Sequence, residues 1–177
     1  MVDMSTYEPE IPGDAADREP SRSGDDLNTH ALAIISLLYN RVVAGAASAV
    51  RKRIGLSVTE AKVIFHIGAC GSTTANKVAK IVGIDKAAIS RATNRIVELG
   101  LVASERDPNH AGQNLLTLTG KGLIACEAIA HFTFAREEYL LSSLSDAEQR
   151  QFLESLRKIL TMVDSTNELV DQGNFWD

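Results

Sequence analysis

Residues 75–94 read ANKVAKIVGIDKAAISRATN, and the apolar positions in this stretch repeat at helical spacing on either side of a single glycine. Ala79 sits where a first helix crosses a second, so its small side chain lets the two backbones approach. Gly83 follows four residues later, where a tight turn needs a residue that accepts positive φ. Val78, Val82 and Ile84 bracket these two positions as apolar pins. Ile89, Ala92 and Ile96 then recur on one face of the second helix and turn inward. That leaves Lys86, Ala87, Ser90, Arg91 and Asn94 on its outer face. A short, small and basic face of this kind fits the major groove, which admits an α-helix. Two core helices joined by a glycine turn would not require small, glycine and apolar residues at so many fixed offsets. The expectation is a DNA-binding helix-turn-helix.

Working outward, Leu32, Ile35, Leu38, Val42, Ala46, Ala49 and Val50 recur every three or four residues, a long first helix from residue 27 to Gly55. Ser57 and Glu60 form an S-x-x-E capping box for a second helix, expected to end near Gly68. Thr73 and Thr74 cap the first helix of the helix-turn-helix, Asp85 caps the second, and Gly100 closes it. Past Gly100 the period changes. Residues 101–106 and 114–118 are short β-capable runs around the turn-rich 107–112, which predicts a hairpin wing. Thr119-Gly120-Lys121-Gly122 opens a long helix through about Ser142. Ser145 and Glu148 start a final one to around Val170.

The fold class expected is mainly α: a winged helix-turn-helix of three helices and a two-stranded β-wing, with long N- and C-terminal helices forming a dimerisation domain. Its parts are an acidic tail (1–26), helical dimerisation regions (27–56 and 119–172) and the DNA-binding lobe (57–118). Leu140, Leu141, Leu144, Phe152, Leu153, Leu156, Ile159, Leu160 and Val163 exceed what one small core can bury. Burial against a second copy is the natural solution, and a two-fold homodimer suits a palindromic site.

The net charge of −5 looks wrong for a DNA binder until it is divided along the chain. Residues 1–26 carry eight acids against Arg18 and Arg22, a net of −6. Residues 51–110 carry ten Lys/Arg against five acids, a net of +5, and local charge decides where a phosphate backbone docks. The tail has no apolar periodicity and is expected to be disordered. Cys70 and Cys126 form no CxxC, which favours a reducing compartment. The polar, acidic start is unlike a signal peptide, and no apolar run reaches the roughly 18 residues of a membrane span. The expectation is a cytoplasmic chain without a membrane partner. Neither a phosphate-binding glycine loop nor a nucleophile motif points to an enzyme. The four scattered histidines give no metal spacing, so no metal or cofactor is expected.

The order long helix, helix, helix-turn-helix, wing and two long helices resembles the MarR family of transcriptional regulators over roughly residues 27–170. IDKAAISRATNRIVELGLVAS (84–104) is similar to the family's recognition segment, and LTGKG (118–122) to its entry into the fifth helix. The resemblance implies that Lys86, Ala87, Ser90 and Arg91 meet base edges and nearby phosphates, with Asn94 and Arg95 on the next turn. Thr73 and Thr74 would offer helix-N-terminal amides to a phosphate. Arg106 and His110 are the wing candidates. At its tip this chain has His110 and Gly112 where the family carries an acid and an arginine, which weakens the case for minor-groove insertion. Restoring the arginine by Gly112→Arg is expected to tighten binding.

The resemblance also implies a repressor released by a small effector, often a phenolic or aromatic acid. Tyr39, Asn40, Arg41, Phe65 and His66 are the ligand candidates, Arg41 suiting a carboxylate. The alternatives are a winged-helix interaction module without specific DNA binding, and a thiol-based redox sensor built on Cys70 or Cys126.

Overall fold

A computed structural model describes residues 30–108 and 112–175. The acidic tail and His110 therefore lie outside the described residues. The chain divides into two compact units, one up to Ala49 and one from Val50 onward. The first holds most of α1 (Ala31–Ile54). By length and composition alone α1 is long and apolar enough to cross a membrane. This corrects the expectation that no such stretch exists. Small Ala, Gly and Ser residues thin its apolar pattern, and between residues 31 and 50 Arg41 is its one charge.

The second unit begins with the last turn of α1, where Gly55 at φ 75° ends the helix with its N–H on Arg51 O. It continues through α2 (Val58–Cys70), β1 (Ser72–Thr73), α3 (Ala75–Val82), α4 (Lys86–Glu98), β2 (Val102–Arg106), β3 (Asn114–Leu118), α5 (Gly120–Leu141), α6 (Asp146–Thr161) and α7 (Val163–Asp171). α2 is its hub, lying against α3, α4, α5 and the sheet. Its Val63, Ile64 and Ile67 are fully buried, with Ile89 and Ile96 of α4 and Leu116 of β3 also in the core. The expected capping box is present: Glu60 N–H donates to Ser57 Oγ (3.2 Å) and Ser57 N–H to Glu60 Oε2 (2.7 Å). Ser145 and Glu148 repeat the arrangement at α6.

Three sequence expectations need correction. α2 does not end near Gly68 but runs to Cys70, and the residue that reverses the chain is Gly71 at φ 73°. Gly68 serves a different need, since a Cβ there would press on Cys126 Sγ of α5. The wing is not a lone two-stranded hairpin: β1 pairs with β3 through Ser72↔Thr117 and Thr73↔Leu116, giving an antiparallel sheet of order β1-β3-β2. The last helix is interrupted at Met162 (φ −90°, ψ −9°), which ends α6 and precedes α7. Around the break Thr161, Ser165 and Thr166 spend their hydroxyls on backbone carbonyls, a local competition that loosens a helix.

Candidate nucleic-acid interface

The helix-turn-helix is built as its residues dictate. Thr74 caps α3 by accepting from Lys77 N–H (3.3 Å). Gly83 adopts the left-handed conformation (φ 66°, ψ 31°), and its N–H returns to Ala79 O (3.0 Å). Asp85 Oδ1 accepts from Ala87 N–H (2.9 Å) and Ala88 N–H (3.1 Å), fixing the start of α4. At the other end, Gly100 N–H donates to Val97 O (2.9 Å) and Leu101 N–H to Ile96 O (3.0 Å), a Schellman pair closed by Gly100 at φ 68°.

Between these caps, α4 presents two opposed faces. Ile89, Ala92, Thr93 and Ile96 are buried, while Lys86, Ala87, Ser90, Arg91 and Asn94 are exposed. Lys86 to Asn94 is eight residue steps, about 12 Å at 1.5 Å each. That length covers three to four base steps at about 3.4 Å each. Lys77 and Lys80 stand exposed on α3. Arg95 is exposed and pairs with Glu98 at 3.5 Å, a surface contact of little worth that leaves the guanidinium accessible to phosphate. Thr73 and Thr74 are both 4% exposed, so any phosphate at this helix start would meet backbone amides rather than their hydroxyls.

In the wing, β2 and β3 pair in register from Val102↔Leu118 to Arg106↔Asn114, with Asp107 N–H closing the hairpin on Gln113 O (2.9 Å). Arg106 is exposed at its outer end. Gly112 has open space around it but sits at φ 87°. An arginine there meets a backbone conformation that costs an L-residue about 1–2 kcal/mol. Gly112→Arg should therefore lower the thermal midpoint, and this loss opposes any gain in affinity; parallel melting and titration of the variant separate the two.

Sequence reading missed Thr93. Its hydroxyl is buried in the inner face of α4 with no hydrogen-bond partner, and a threonine inside an apolar helical stripe gives no warning of that. An unpaired buried hydroxyl costs about 1–3 kcal/mol. Thr93→Val, of like shape, should raise stability by about 1 kcal/mol in chemical denaturation.

The ligand candidates fall into different units. Tyr39, Asn40 and Arg41 are exposed on α1 in the first, where Asn40 Nδ2 donates to Ser36 Oγ (3.5 Å). In the second, Phe65 and His66 are half-buried on α2, and Phe65 stands edge-on to Phe134 of α5 with centroids 6.0 Å apart. Phe134, itself exposed, is a member of this aromatic cluster that the sequence did not single out. Partial burial, and then the Lys62 ammonium, hold the His66 imidazole below its ordinary pKa. The neutral form is thus favoured on folding, and the unfolded chain binds the proton more readily. This contribution to stability is complete above about pH 6.5 and is lost as pH falls below it. His66→Gln should flatten that acid-side decline in denaturation midpoints measured between pH 7.5 and 5.5. Among the thiols, burial and then Glu127 push Cys126 up, away from the reactive thiolate that a redox sensor needs.

A buried-and-exposed recognition helix, its capped partner and a β-wing define the winged helix-turn-helix class. Residues 54–111 match the model of the MarR family. The chain thus has the winged helix-turn-helix fold of MarR-family regulators, and its segment around the recognition helix is similar to that family. A MarR/EmrR family transcriptional regulator from Acinetobacter sp. ADP1 is 27% identical, with a TM-score of 0.71 over 78% of this chain and 98% of that one. A MarR-family regulator from Listeria monocytogenes, solved with a 26mer DNA, is 20% identical, with a TM-score of 0.73 over 84% and 98%. A mutant MarR from E. coli with operator DNA is 21% identical, with a TM-score of 0.64 over 78% and 99%. No curated protein sequence matches the chain.

Proposed function

We propose that this chain is a repressor that binds a palindromic operator as a homodimer and is released by a small, aromatic effector. The observation that carries the reading is α4 itself: Lys86, Ser90, Arg91 and Asn94 stand exposed on a helix whose opposite face is sealed into the core. On this reading Arg91 donates to a guanine edge, Ser90 to a base or phosphate, and Lys86 and Arg95 to the backbone. Two of the similar structures described above were solved with DNA, one of them with operator DNA.

Dimerisation is supported by the C-terminal helices. Among the described residues none in α6 or α7 is buried, and Leu160 and Met162 are 70% and 60% exposed. So much apolar surface on a DNA-binding chain calls for a partner surface, and a second copy supplies one together with the two-fold axis of a palindrome. For the effector, the Phe65–Phe134 pair beside a neutral-leaning His66 offers aromatic edges and a hydrogen-bonding nitrogen.

The test is selection of bound fragments from sheared genomic DNA of the host at near-physiological salt. Enrichment of a pseudo-palindrome with half-sites about one turn apart supports the reading. Recovery of only salt-sensitive background overturns it in favour of an interaction module.

A further inference from the structure

The C-terminal end of α4 is fastened by the first turn of α5. The last carbonyls of a helix lack intrahelical donors, and here that of the C-cap Leu99, with the next two along the chain, finds donors some twenty positions downstream. Lys121 Nζ donates to Leu99 O at 3.0 Å. Thr119 shares its one hydroxyl proton between Gly100 O at 2.8 Å and Leu101 O at 3.2 Å, and its N–H adds a bond to Leu101 O at 3.0 Å. The same hydroxyl accepts from Gly122 N–H at 3.0 Å and so caps α5. Gly122 completes the joint, because a Cβ there would collide with the carbonyl oxygen of Leu101. The Lys121 ammonium also lies at the negative end of the α4 dipole. The carbonyl of the α4 C-cap and the two that follow it are thereby tied to the first turn of a neighbouring helix.

The N-terminus of α4 has no comparable tie in its cap; Asp85 satisfies the first amides from within the same segment. α4 and α5 both pack on α2, and this joint ties the end of one directly to the start of the other. α5 is 22 residues long, a rod of about 33 Å at 1.5 Å per residue. A rotation of about 5° at the joint moves its far end by about 3 Å over that length.

We propose that Lys121 and Thr119 are positioning residues for DNA recognition, fixing the angle of α4 to α5 so that a dimer holding α5 also holds the spacing of its two recognition helices. The inference rests on the dimeric operator reading given above. Neither side chain needs to touch DNA for this role. Its signature is therefore tolerance of half-site spacing rather than affinity alone.

The experiment uses the full chain, the operator recovered by genomic selection, and the same operator with one or two base pairs added at its centre. The wild type should lose at least about tenfold in affinity on the lengthened sites, as a fixed helix separation requires. Lys121→Met should bind the natural site about three- to tenfold more weakly, yet lose less than about threefold on lengthening, as expected for a loosened hydrogen-bonded joint. Lys121→Arg and Thr119→Ser, which keep their donors, should retain the wild-type profile. If Lys121→Met weakens all sites by one common factor, Lys121 is not a positioning residue and the inference fails. If the wild type binds the operator without regard to spacing, the dimeric reading fails first and the inference falls with it. A DNA-free arm covers the joint itself: the Gly122 amide should exchange with deuterium about tenfold faster in Thr119→Val than in Thr119→Ser. Equal exchange would show that the hydroxyl does not hold the joint.

Discussion

Arg91→Ala is expected to weaken operator binding by about 1–3 kcal/mol, roughly 5- to 150-fold in Kd, while leaving the fold intact. Arg91 is exposed near the middle of α4, one residue past Ser90 and one turn before Asn94 and Arg95. Its guanidinium offers a planar fork that matches the two acceptors of guanine in the major groove. A lysine keeps the charge without the fork, so Arg91→Lys separates base reading from phosphate attraction. If Arg91 reads a base, the lysine variant recovers little affinity on the natural operator and relaxes the preference at one base pair. If it only meets phosphate, lysine restores most of the binding and specificity is unchanged. The measurement is a titration of both variants on the operator and its single-base variants at fixed salt, since phosphate contacts make every affinity salt-dependent. Loss below about twofold for Arg91→Ala would remove Arg91 from the interface.

What the sequence disclosed, and what it withheld, follows the range of the interactions concerned. The two capping boxes, the Thr74 and Asp85 caps and the left-handed Gly83 are complete within five residues, so their chemistry is readable from adjacent letters. The outer face of α4 was legible for the same reason, because helical period alone sorts Lys86, Ser90 and Arg91 from Ile89 and Ile96. Glycine was the ambiguous letter. Gly68 and Gly71 stand three apart, one needed for helix packing against Cys126 and the other for a positive φ, and no local pattern tells these apart. β1 has two residues, too few to show an alternation. The break at Met162 has neither glycine nor proline to announce it. The joint from Lys121 and Thr119 to the end of α4 bridges some twenty residues, and the Phe65–Phe134 pair bridges α2 and α5. Contacts of that range exist only once the chain has folded.

Ile96→Ala should do the opposite of Arg91→Ala: a loss of about 2–5 kcal/mol in folding stability from a position that never faces DNA. Ile96 is fully buried on the inner face of α4. Its carbonyl accepts from Leu101 N–H in the Schellman closure, so its side chain and backbone both anchor the end of the recognition helix. Truncation removes apolar surface from water exclusion and leaves a cavity that α2 can only partly fill. For a chain of this size each kcal/mol moves Tm by about 2–4 °C, so the midpoint should fall by about 4–20 °C. Operator binding by the fraction that remains folded should stay within about threefold of wild type at low temperature, because the exposed face is untouched. The pair of variants forms a cross-check on α4. If Arg91→Ala lowered Tm as far as Ile96→Ala does, the exposed face would be structural and the groove-reading assignment would be wrong. If Ile96→Ala left Tm in place but abolished binding, the inner face would be the one that meets DNA. The packing of α4 against α2 argues against that reversal, since a helix sealed to the core along Ile89, Ala92 and Ile96 has one face left to offer.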